Sequence, residues 1–170
     1  MANSPQCART GHKPVKLLMV ITAALLWVGC GKPGAEYLVD ARSELADSAY
    51  DDAIAAAEDG LSAGGEATTV WGLELVLLEA HARSGHGSET KELLTRLGSD
   101  HPDRVPPTEY TATAHQLKTA GDGPTAIEVL DLGAKRYPDN PIIAKMIGDA
   151  GAAGSDPEEL KMLRSLGYIE

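Results

Sequence analysis

A repeat limits most strongly what this chain can fold into. Slid along itself by 36 residues, the sequence lays Arg83–Pro102 on Thr119–Pro138, so that Gly85 falls on Gly121, Gly87 on Gly123, Leu94 on Leu130 and Pro102 on Pro138. An earlier copy, beginning at Asp47, joins at an offset of 37, with Tyr50 on Gly87 and Ala53 on Thr90. A period in the thirties implies helix-turn-helix units stacked in a row, because one unit cannot bury its apolar face alone and its neighbour must cover it. Composition points the same way. There is no Phe, no strand-like alternation and plentiful Ala, Leu and Glu, which predicts an all-α fold.

The punctuation of the repeat has a physical sense. A small residue (Ser48, Gly85, Gly121) closes the first helix of each unit and lets the chain reverse within a few residues. Ala53, Thr90 and Ala126 open the second helix, where a small side chain lets two backbones approach. Pro102 and Pro138 end a unit because proline cannot continue a helix, and Gly65 takes that place in the first copy. At these residues the chain resembles the tetratricopeptide repeat, with Tyr37, Trp71 and Tyr110 standing for the aromatic residue usual in the first helix. The resemblance implies three units, at about 35–70, 71–106 and 107–140, followed by capping helices over 141–170. Within that last stretch Asn140-Pro141 starts one helix. Asp156-Pro157 starts another with a capping carboxylate and an N-terminal proline, Leu160, Leu163 and Leu166 form its apolar stripe, and Gly167 predicts a left-handed stop.

The N-terminus carries an address. Arg9, Lys13 and Lys16 precede the twelve-residue apolar run Leu17–Val28, which ends at Gly29-Cys30. The run is shorter than the roughly 20 residues of a spanning helix, and its order of charge, apolar core and small residue is that of a secretion signal. It resembles the signal of bacterial lipoproteins, although Trp27 stands where those usually carry Leu. The resemblance implies removal of residues 1–29, lipid on Cys30 and a short tether over 30–34. Gly31 in place of an Asp favours the outer membrane, facing the periplasm. Removing 1–29 takes three basic and no acidic side chains, leaving 12 Lys and Arg against 25 Asp and Glu. So acidic a chain is a poor partner for nucleic acid. With Cys7 discarded and Cys30 acylated, no disulfide remains to be formed.

Several motifs for catalysis are absent: no Gly-rich phosphate loop, no Cys-x-x-Cys and no His-Glu-x-x-His. His81 and His86 are five apart, across Gly85, and with His101 and His115 lack the spacing of a metal site. The adjacent pairs Asp51-Asp52 and Glu158-Glu159 read as first-turn carboxylates that favour the helix dipole. The expectation is a non-enzyme with no cofactor beyond the lipid on Cys30. In the family resembled, the first helices line a groove, and its inward positions map onto Leu38, Arg42 and Leu45, then Leu75, Glu79 and Arg83, then Thr111, His115 and Lys118. Arg42, Arg83 and Lys118 outnumber Glu79 there, which suits an acidic or C-terminal peptide segment of another envelope protein. The leading expectation is therefore a lipid-anchored scaffold that binds such a protein. The alternative is a structural subunit of a pilus, secretion or outer-membrane assembly machine that uses the repeats as a rigid spacer.

Overall fold

The computed structural model describes residues 32–152 and 156–170. The signal segment and Cys30 lie outside the described residues. Eight helices and no strand occur among those described: α1 (Gly34–Ala46), α2 (Tyr50–Ala63), α3 (Ala67–Ser84), α4 (Gly87–Asp100), α5 (Pro107–Thr119), α6 (Gly123–Arg136), α7 (Pro141–Ala150) and α8 (Pro157–Leu166). The fold is all-α. None of these helices is long and apolar enough to cross a membrane.

Their order in space follows from the turns. Ser48, Gly85 and Gly121 all have positive φ, at 62°, 78° and 93°, and Ser48 is the one described non-glycine residue that does. In each case the next residue donates its N–H to the carbonyl five positions back: Ala49 to Glu44, His86 to His81 and Asp122 to Leu117. A left-handed residue closed by such a bond satisfies carbonyls at the helix end and folds the chain back at once. Gly167, at φ 82°, ends α8 in the same way, with Tyr168 donating to Leu163. Ser48 occupies a conformation that costs an L-residue roughly 1 kcal/mol or more. Ser48→Gly should therefore raise stability by about 0.5 kcal/mol or more, read as a higher denaturation midpoint, whereas Gly85→Ser should lower it.

Successive pairs then stack. Besides packing on its own partner, α1 touches α3, α3 touches α5 and α5 touches α7, while α4 touches α6 and α6 touches α8. The core runs through this double row: Leu73, Leu78, Leu94, Leu97, Leu117, Val129, Ile143 and Leu163 are all at most 1% exposed. Burying each such side chain is worth about 1.5–3 kcal/mol. Ala53, Thr90 and Ala126, the expected openers of second helices, are buried at 0%, 0% and 3%.

Two boundaries shift from the sequence reading. Gly34 belongs to α1 and is buried against Gly64, so only Lys32 and Pro33 of the expected tether are non-helical among the described residues. The first unit ends at Gly64-Gly65, both with positive φ, and a boundary at 70/71 would cut α3 after its first turn. The second helix of that unit needs no proline, because two glycines outside the right-handed region already stop it. The stretch 141–166 holds two helices that start where the sequence reading put them, with Asn140 capping α7 through Ile142 and Ile143 N–H and Asp156 capping α8 through Glu158 and Glu159 N–H.

Candidate interaction face

The turn residues give a common ruler for the first helices. Arg42, Glu79 and His115 each lie six residues before the left-handed residue that ends α1, α3 and α5. They therefore hold one position on three helices that pack in chain order. The other two expected residues do not share a position. Lys118 stands three residues before Gly121, in register with Leu45 and Ala82, which are 9% and 0% exposed. Arg83 is one residue later than that row. Leu45, expected to face the groove, is part of the core.

Each side chain has its own surroundings. Arg42 reaches over α3, where a Cβ on Gly72 would stand 3.4 Å from its guanidinium nitrogen. It has no ion-pair partner among the described residues. Arg83 is bound at 2.7 Å to Glu79 on its own helix. Ser48 and then Arg83 hold the Tyr50 hydroxyl below its ordinary pKa. Lys118 reaches α8, where its ammonium lies 2.8 Å from the Glu159 carboxylate. His115 and Lys118 stand on the rim of a slot of about 190 Å³ between α5 and α7, with Asp149 on the same rim and Ile127, Leu130 and Met146 among its apolar walls.

Two of the three cations counted from the sequence are thus already occupied by carboxylates. The acid that sequence reasoning missed is Glu109 on α5, half-buried near Glu79 on α3. Burial, and then the charge of Glu79, push its carboxyl above the ordinary value. The sequence signal was available: Glu109 is a first-turn carboxylate of α5, where the helix dipole tolerates it. The face therefore mixes signs where the sequence suggested a positive one.

The Glu109 shift gives a pH expectation. A carboxyl whose folded pKa is raised binds its proton more tightly in the folded state, so stability falls as pH rises from the ordinary 4.5 through the folded value. Glu109→Gln should remove that loss. Relative to the parent it should gain stability at neutral pH, with the gain shrinking to nothing as pH drops below about 4.5, as thermal melts at a series of pH values would show.

One turn brings together residues that their spacing had set apart. Because Gly85 reverses the chain, the His86 ring folds back on His81, with the two Nδ1 atoms 3.3 Å apart. Among the described residues no cluster of three or more His, Cys, Asp or Glu is placed to hold a metal ion. No family model, no curated protein and no solved structure matches the chain.

Proposed function

We propose that this chain is a lipid-anchored scaffold of the cell envelope whose tetratricopeptide-like array binds another envelope protein and catalyses no reaction. The observation that carries this reading is the row Arg42, Glu79 and His115, one position repeated on three side-by-side helices and leading to the apolar slot beside Lys118. A repeated, solvent-facing position on stacked helices suits an extended partner segment, which meets one polar side chain of that row at every unit. The membrane part of the proposal rests on the pattern around Cys30, with the outer membrane as its site. Lipid on Cys30 would hold the array within a few residues of the bilayer, since α1 begins at Gly34.

The spacer reading has its own support: Arg83 and Lys118 are committed to Glu79 and Glu159, which leaves Arg42 as the basic residue of the face whose charge is free of an ion pair among the described residues. One comparison separates the two. Arg42→Glu should weaken salt-sensitive capture of the partner from cross-linked membranes several-fold, while Lys161→Glu, an equal charge change at an outer site paired only with exposed Glu158, should leave it intact. Equal capture by both variants would support the spacer. Cys30→Ser tests the anchor separately, since the protein should then stay unprocessed and lose its lipid mass.

A further inference from the structure

We propose that His81 and His86 form a two-histidine site for a divalent transition ion of tetrahedral preference, with zinc the best match. The pair is built by the fold. His81 is in the last turn of α3, Gly85 takes the left-handed conformation, and His86 follows it and donates its backbone N–H to the His81 carbonyl. That closed turn fixes both Cα atoms and brings the rings together, their centroids 5.5 Å apart and their planes tilted by 52°.

The facing atoms are both Nδ1, at 3.3 Å. Zinc–imidazole bonds of about 2.0–2.1 Å in a tetrahedron place neighbouring nitrogens about 3.3–3.4 Å apart. The observed separation, a hydrogen bond between the two rings in the metal-free chain, has the length of that edge, and an ion would take the place of the shared proton. A square-planar ion would need a shorter edge, of about 2.8–2.9 Å. An ion seated on this edge takes one lone pair from each ring and leaves both Nε2–H groups free to donate outward. That is the tautomer a neutral imidazole ligand requires. Burial and then the neighbouring His86 hold the His81 ring below its ordinary pKa, against the smaller opposing pull of Glu89 on α4 and Glu58 on α2. No third protein ligand completes the set among the described residues, so water fills the remaining positions. The site is accordingly open, and a donor from another molecule can replace that water.

The test is a calorimetric titration of zinc chloride into the full chain in detergent, at pH 7.5. The expected result is one ion per chain, bound more weakly than in a four-ligand structural site. His81→Gln and His86→Gln should each weaken binding by at least about ten-fold, the scale on which even outer-shell partners of metal ligands count. His101→Gln should change nothing. In histidine nitrogen spectra, zinc should move both Nδ1 resonances of the pair together. If zinc does not bind up to about millimolar concentration, or if it binds equally to the two variants while their helical circular dichroism is that of the parent, the proposal is wrong. Movement of only one of the two Nδ1 resonances would overturn it as well. The outcome is independent of whether the face around Arg42 binds a partner.

Discussion

Gly133→Val should destabilise the fold by about 3 kcal/mol or more, a large part of the roughly 5–15 kcal/mol that holds a domain together. Gly133 lies in α6 where that helix touches both its own partner α5 and the next unit's α7. A Cβ there would stand 2.9 Å from Tyr110 Cβ, 3.1 Å from Tyr110 Cγ and 3.0 Å from Ile143 Cδ1. The tyrosine atoms are the root of a buried side chain and cannot swing away, so the helices themselves must part. Gly148→Ala is the control. It also sits within a helix, but a Cβ there would meet nothing within 4 Å, so alanine's helix preference should give a gain of about 0.5–1 kcal/mol. Chemical denaturation of the two variants should give shifts of opposite sign. A neutral Gly133→Val would mean that α5, α6 and α7 do not approach as closely as described.

The same contact shows how much of the fold was legible. In the first unit a Cβ on Gly60 would stand 2.7 Å from Tyr37 Cβ and under 3 Å from two methyls of Leu73. Tyr37 and Tyr110 are 73 residues apart, and so are Gly60 and Gly133. The aromatic residue and the glycine beneath it thus recur together, two units on, and a search at twice the basic period would find them. Looking for an aromatic residue in every unit led instead to Trp71. The position in register is Glu74, 7% exposed and paired at 3.2 Å with Arg96, with Leu97 where the other units have glycine. The middle unit has exchanged an aromatic-on-glycine contact for an ion pair and a leucine. Trp71, one turn earlier, packs edge-on against His101 and lies 4.1 Å beneath the Arg104 guanidinium, holding the loop between α4 and α5.

Turns and helices were therefore readable because glycine, proline and capping residues act locally. The ion pairs between helices were not, because they join residues far apart in sequence. Arg96 reaches Glu74 across 22 positions, Lys91 reaches Glu128 across 37 and Lys118 reaches Glu159 across 41. Counting bases on the first helices gave a positive face. Adding the partners that folding brings to them gives a face of both signs.

Lys118→Met should accordingly act first on stability. Glu159 is 3% exposed, and its carboxylate packs on the start of α6, where a Cβ on Gly123 would lie 2.5 Å from its Oε1. Gly87, Gly123 and Glu159 follow one another at intervals of 36, so the last unit puts a carboxylate where the two before it have glycine. Lys118 likewise fills a position that is Leu45 and Ala82 in the earlier units, and its ammonium is the counter-charge for that carboxylate. Removing one member of a buried pair costs about 3–5 kcal/mol. The Lys118 side chain is 56% exposed, and solvent screening of its charge reduces the expected loss to about 1–3 kcal/mol. Adding Glu159→Gln to Lys118→Met should restore most of it, since a neutral amide needs no cation. Thermal melts of the single and double variants decide the matter. If the double variant is no more stable than Lys118→Met alone, the pair does not hold α8 on the array. If it is rescued, partner capture should be measured in the double variant, where any remaining defect belongs to the binding face and not to the loosened end of the fold.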